Sequence, residues 1–168
     1  MKTEEIIEGK RVLVVDDEKD ILETLINLLD ACKVDAASSF EEAKKMLEEN
    51  DYDLVVLDIM GVRGYELLAI ANARKIPALM LTAHALTSDD LKRSADEGAA
   101  YFAPKEKIEE IPHFVADVLE AIEKRKSPWE RMFERLGSFY DKAFHGRDWR
   151  EKEKDFWEKK IKETFPYF

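Results

Sequence analysis

The sequence contains one cysteine, Cys32, so no internal disulfide can form. No apolar stretch approaches the roughly 20 residues a membrane span requires. The longest are Val12–Val15, Leu54–Leu57 and Ile76–Leu81. The opening segment, MKTEEIIEGK, lacks the apolar core of a signal peptide. Together these features give the expectation of a cytoplasmic protein with no membrane partner. Basic residues are in deficit: 27 Lys and Arg face 37 Asp and Glu, a net charge of −10, which argues against a nucleic-acid partner. With 6 glycines in the chain there is no G-x-G-x-x-G or Walker-type loop, so nucleotide binding of those kinds lacks support. The 3 histidines stand without zinc-like spacing, and neither His113 nor His145 has an identifiable partner in the sequence.

What is present suffices for a packed core. Apolar residues make up 45% of 168 positions, enough for one domain with a remainder. Charge and aromatic content divide the chain near Lys126–Ser127. Residues 127–168 hold ten basic and nine acidic residues, against a net −11 in residues 1–126. Those 42 residues also carry eleven of the seventeen aromatics, including all 3 tryptophans. Two units are expected: residues 1–126, and an aromatic-rich helical tail over 127–168.

Within the first unit five short apolar runs alternate with helical patterns. The runs are Arg11–Val15, Val34–Ala37, Asp53–Leu57, Ala78–Leu81 and Ala100–Ala103. VLVV and LVVL are apolar without alternation, as strands buried on both faces of a parallel sheet must be. Between them Ile21, Leu22, Leu25, Leu28 and Leu29 recur at helical spacing, as do Ala43, Met46 and Leu47, and then Leu67, Leu68, Ile70 and Ala71. Ser39 with Glu42 forms a capping-box signature, and Gly98 suits a left-handed helix end. Pro112 cannot sit inside a helix, so a loose turn is expected over Glu106–Ile111 and a helix from Pro112 to Lys124. Five strand–helix alternations define a doubly wound α/β domain.

In such a sheet, ligands bind beyond the carboxyl ends of the strands. Asp16 and Asp17 follow the first run, Asp58 the third, Thr82 the fourth and Lys105 the fifth. Each alone has an ordinary reading: Asp17 a helix cap, Asp58 a loop residue, Thr82 a helix entry, Lys105 a solvated cation. All five at strand ends make coincidence improbable. Converging carboxylates raise one another's pKa unless a cation neutralises them, and a hard, oxygen-liganded ion such as Mg²⁺ suits that role. One carboxylate can then act as nucleophile toward a phosphoryl group, with Thr82 and Lys105 contacting its oxygens.

VLVVDDE, DLVVLDIM, LMLTA and YFAPK resemble the receiver domain of two-component response regulators, of the chemotaxis-regulator type, over about residues 9–125. The resemblance implies a flavodoxin-like five-stranded parallel sheet of order 2-1-3-4-5, here with a C-terminal helical extension. It implies Asp58 as the aspartate phosphorylated by a sensor histidine kinase or phosphotransfer protein. It further implies Mg²⁺ held by Asp17, Asp58 and the Met60 carbonyl, with Asp16 on a metal-bound water. By the same resemblance Thr82 and Lys105 contact the phosphoryl group, and Phe102, three residues before the lysine, is the switch aromatic alongside Thr82. Such a protein is a phosphoacceptor and not an enzyme with external substrates. Met60 and His84 occupy positions that tune acyl-phosphate lifetime in the family. The chain departs from the pattern in two places: Pro104 precedes Lys105 and Glu106 follows it, and the segment after Asp58 is short, with Gly61 where proline is common.

Two other readings compete. An unphosphorylated pseudo-receiver would lack the chemical residues, yet all are present. A metal-dependent phosphatase of the haloacid-dehalogenase kind wants Asp-x-Asp after the first strand, which Asp16-Asp17-Glu18 does not supply.

In the tail, Ser127-Pro128-Trp129-Glu130 reads as a helix start, and Trp129, Phe133, Leu136, Tyr140 and Phe144 follow at helical spacing. Gly137-Ser138 is expected to split this helix and Gly146 to end it. Asp148 with Glu151 reads as a further capping box, ahead of Phe156, Trp157 and Ile161. The tail's aromatic face needs cover, from its own first domain, from a second copy in a homodimer, or from an output protein.

Overall fold

The computed structural model describes residues 2–83 and 87–165. A short helix α1 (Thr3–Ile7) leads into β1 (Arg11–Val15), α2 (Lys19–Leu28), β2 (Lys33–Ala37), α3 (Phe40–Glu49), β3 (Leu54–Asp58) and α4 (Gly64–Ala73). The chain continues through β4 (Ala78–Thr82), α5 (Ser88–Asp96), β5 (Tyr101–Pro104), a 3-10 turn (Lys105–Glu110) and α6 (Ile111–Glu123). The strands form one parallel sheet of order β2-β1-β3-β4-β5, flanked by helices, as the resemblance implies.

The apolar runs explain the centre of the sheet. Val12, Leu13, Val14 and the whole of Leu54–Leu57 and Ala78–Met80 are fully buried between the two helical layers. The two sheet edges differ. β2 is only half-buried, whereas every residue of β5 is buried although it too is an edge strand. Something outside the five-strand pattern covers β5.

That cover is the tail. α7 (Pro128–Ala143) lies along β5 and α6, and α8 (Asp148–Glu151) and α9 (Lys154–Lys162) fold back onto it. Ser127 caps α7 by accepting from the Trp129 amide at 3.2 Å, and its hydroxyl donates to the Lys160 carbonyl at 2.7 Å, tying the start of the tail to its end. Trp129, Met132, Leu136 and Tyr140, spaced three or four residues apart, are the buried stripe of α7. Phe133 stacks on Trp149 with centroids 5.7 Å apart, and Trp157 meets Trp129 at 5.6 Å, so the tail also has an aromatic core of its own.

Local signals fare unevenly. Ser39 caps α3 through the Glu42 amide, while the Glu42 carboxylate accepts from Ser38 and not from Ser39 itself. Gly98 closes α5 with a φ of +97°, and Pro112 sits in the first turn of α6. Two expectations need correcting, and one helix is additional. α7 runs unbroken through Gly137-Ser138; a β-carbon at Gly137 would come 3.1 Å from the Arg150 guanidinium, so the bare glycine leaves room for the arginine. Asp148 makes no capping hydrogen bond, since Arg147 occupies the N-cap and Asp148 is already helical. α1 was not anticipated; it buries Ile7, and the Thr3 hydroxyl lies 2.9 Å from Nδ1 of His113 on α6. His84 lies outside the described residues.

The short segment between β3 and α4 is closed by contact. A β-carbon at Gly64 would lie 2.2 Å from the Asp58 carbonyl oxygen, a backbone atom that cannot give way. Gly64→Ala should therefore destabilise the fold by at least about 2 kcal/mol, measured by urea unfolding. Gly9→Ala meets no atom within 4 Å and carries only the strain of its φ of +72°, so it should cost about 1 kcal/mol.

Candidate functional site

The ends of β1, β3, β4 and β5 bring together the side chains singled out above. Asp16 is 1% exposed and Asp58 5% exposed, so two carboxylates are withdrawn from water. The Lys105 ammonium, at the first residue after β5, lies 2.8 Å from Asp16 Oδ2 and 3.1 Å from Asp58 Oδ1. This cation offsets the repulsion that two buried carboxylates would otherwise carry. Thr82, buried at the end of β4, stands in register with Pro104, the residue before Lys105. The Pro104-Lys105 order thus leaves the ammonium in place: Pro104 ends the strand in extended geometry and Lys105 opens the 3-10 turn.

Burial is the largest influence on Asp58 and pushes its carboxyl up to about 6. Asp16 adds to the rise, Lys105 opposes it, and Asp17 adds a smaller push. Burial alone would lower the Lys105 pKa, but contact with Asp16 and Asp58 outweighs it and the net shift is upward.

Asp17 is exposed and rests against the backbone of Gly61, where a β-carbon would come 2.5 Å from its Oδ2. Gly61 is favoured by its φ of +77°, and its lack of a side chain leaves the carboxylate room at this point. Asp16, Asp17 and Glu18 place carboxylate oxygens within 4.8 Å of one another. Asp16 Oδ2 is buried and, although it touches Lys105, has no well-directed hydrogen bond. An all-oxygen cluster with one under-used buried oxygen suits a hard divalent cation. Asp58 adjoins this cluster through Lys105, and Met60, 75% exposed, sits at its mouth.

These residues line a cleft of about 520 Å³ shared by Asp17, Asp58, Met60, Thr82 and Lys105. Glu18, Tyr65 and Arg93 line it too and escaped sequence reasoning. Glu18 had a signal, being the third acid of an uninterrupted run. Arg93 had none: its guanidinium lies 3.8 Å from the centroid of Tyr65, a contact between α5 and α4 that only the fold creates. Phe102 is fully buried, its ring 5.9 Å from that of Tyr140 on α7. Phe102 is thus covered by the tail.

Comparison with known proteins agrees with this geometry. Residues 12–116 match the response regulator receiver domain family. The chain is 33% identical over 105 residues to the transcriptional regulatory protein TcrA of Mycobacterium tuberculosis, covering 59% of this chain and 41% of that protein. It is 41% identical over 85 residues to the regulatory protein VanRB of Enterococcus faecalis, covering 48% and 37% respectively. The chain therefore spans less than half the length of these relatives. Among solved structures, the Francisella response regulator 1452 receiver domain superposes with a TM-score of 0.60 at 24% identity, over 67% of this chain and 98% of that one. A two-component response regulator from Clostridium difficile gives 0.61 at 23% identity, over 67% and 97%. The chain belongs to the response regulator receiver domain family of two-component signalling systems. Among the described residues no helix is long and apolar enough to cross a membrane.

The raised Asp58 pKa has a consequence for stability. A carboxyl whose folded pKa lies above its unfolded value near 3.8 costs stability once ionised, and the cost grows as pH rises from about 4 through about 6. In metal-free buffer at pH 7, Asp58→Asn should be more stable than wild type by about 1–3 kcal/mol. The gap should close as pH falls toward 4. Thermal unfolding across that range checks both sign and window.

Proposed function

We propose that the chain is a Mg²⁺-dependent phosphoacceptor in which Asp58 receives a phosphoryl group from a sensor histidine kinase or a phosphotransfer protein. The observation that carries this reading is the Lys105 ammonium 3.1 Å from a buried Asp58 carboxylate at the floor of an open cleft. Asp58 Oδ attacks phosphorus in line. The bond from phosphorus to the donor's imidazole nitrogen breaks, and its electron pair stays on that nitrogen, which takes up a proton. The product is an acyl phosphate. Lys105, released from part of its contact with Asp16, offsets charge on the phosphoryl oxygens, and the Thr82 hydroxyl donates to one of them.

Asp16, Asp17, Asp58 and the Met60 carbonyl are the groups that would hold Mg²⁺, with Glu18 beside them. Bound there, the ion would neutralise charge on the transferring group. Gly61 keeps the Asp17 carboxylate free of a side chain at that point. Hydrolysis of the acyl phosphate by the chain itself is part of the same reading; a substrate other than the phosphodonor is not. The pseudo-receiver alternative is disfavoured because nucleophile, cation and hydroxyl are all buried or near-buried in one cluster, at a cost that a plain interaction module has no reason to bear. Output runs through protein contacts and not nucleic acid, in keeping with the net charge of −10.

Incubation with acetyl phosphate and Mg²⁺ should add one phosphoryl group by intact mass, and none in the presence of a chelator. Asp58→Asn should remain unlabelled. Equal labelling of Asp58→Asn would take the acceptor role from Asp58. Thr82→Ala should still be labelled, while its phosphorylation-dependent partner binding or assembly largely disappears.

A further inference from the structure

Among the described residues two cations line the cleft, Lys105 and Arg93, and phosphoryl transfer to Asp58 uses only the first. Lys105 lies at the floor, 13% exposed and shared between Asp16 and Asp58. Arg93, on α5, stands on the wall with 57% of its side chain exposed. It is held from two sides. Its guanidinium carbon lies 3.8 Å from the centroid of the Tyr65 ring, and its Nε donates to the Glu97 carboxylate at 2.5 Å. Tyr65, on α4, is itself pinned, its hydroxyl 3.3 Å from that of Ser94 and 3.4 Å from the Asp90 carbonyl. The terminal nitrogens of Arg93 make no hydrogen bond to any described residue.

A planar guanidinium resting on a ring keeps its orientation and presents an edge of N–H donors. That edge matches a carboxylate through two parallel hydrogen bonds. In-line attack by Asp58 expels the leaving group from the side of phosphorus that faces away from the floor, toward the open part of the cleft. Phosphodonors differ in what they expel there. A phosphoramidate sheds a neutral amine, whereas a carboxylic–phosphoric anhydride sheds a carboxylate whose charge builds as the bond breaks. Lys105 and Thr82 are committed to the phosphoryl oxygens. Asp17, Glu18 and Asp90, which also line the cleft, would repel a departing anion, and Arg93 is the cation left to receive it.

We propose that Arg93 receives the carboxylate leaving group of small acyl phosphates and so makes these anhydrides a preferred class of phosphodonor for Asp58. The proposal rests on Asp58 being the phosphoacceptor. An Asp58 oxygen bonds to phosphorus, the bond from phosphorus to the acyl oxygen breaks, and its electron pair stays on the departing carboxylate. No proton is needed, because two Arg93 N–H groups donate to the carboxylate oxygens. With phosphoramidate the phosphorus–nitrogen bond breaks instead, and the already protonated nitrogen leaves as ammonia, to which Arg93 offers nothing. Tyr65 is a positioning residue: its ring keeps the guanidinium in place on the cleft wall.

The test uses the full chain with Mg²⁺ and compares labelling rates, by intact mass, for acetyl phosphate and phosphoramidate. High salt screens the longer-range attraction between a guanidinium and any charged donor, leaving direct contact as the main difference. Each variant is first shown to bind beryllofluoride, which carries no leaving group. In Arg93→Gln the ratio of the acetyl phosphate rate to the phosphoramidate rate should fall about 5- to 20-fold, the worth of an exposed charge-assisted contact. Tyr65→Leu, which removes the platform and keeps the arginine, should lower the ratio in the same direction. Tyr65→Phe, which keeps the ring, should preserve it. A wild-type ratio in Arg93→Gln, or an equal fall in Tyr65→Phe and Tyr65→Leu, overturns the proposal while leaving the phosphoacceptor reading intact. Failure of both donors to label wild type overturns both.

Discussion

Lys105 sits between Asp16 and Asp58, and much of the molecule is arranged to permit that. Two carboxylates this deeply buried repel each other and lose hydration, a cost that a single ammonium only partly offsets. The residual tension appears as the raised pKa of Asp58. A site strained in this way gains from any added cation and from conversion of the Asp58 carboxylate into an ester-like acyl phosphate. The sheet supplies the rigidity: parallel strands buried on both faces end in Asp58 and Thr82 and lead directly into Lys105. Glycine at positions 61 and 64 removes side chains where the β3–α4 segment closes over the carboxylates.

The same strand that delivers Lys105 is the one the tail covers. An edge strand ordinarily keeps part of its surface in water, as β2 does here. β5 is instead covered by α7: the Phe102 carbonyl accepts from the Tyr140 hydroxyl, and the Ala99 carbonyl just before the strand accepts from the Trp129 indole, so neither ring buries an unsatisfied polar group. Site and tail therefore share one structural element.

Much of this was legible in the amino-acid order. Runs such as VLVV and LVVL announce doubly buried strands, and acids, hydroxyl and lysine at successive strand ends announce a charged cleft. Sheet order came only from the resemblance, because periodicity carries no information on which strands are neighbours. Gly137 misled, since a glycine that admits a partner's side chain looks the same in sequence as one that breaks a helix. Asp148 misled for a related reason: the helix already includes Asp148, so its side chain lies one position too late to cap it. Arg93 at the cleft and the seat of the tail on β5 are tertiary facts with no local signature.

The central claim is that phosphate is carried as an acyl phosphate on Asp58. Its most direct test is borohydride reduction of the protein after exposure to acetyl phosphate and Mg²⁺, followed by peptide mass mapping. An acyl phosphate is reduced to the alcohol, so the account predicts homoserine at position 58 and at no other aspartate. Phosphate that survives reduction on Thr82 or a histidine, or homoserine at Asp16 or Asp17, would contradict it.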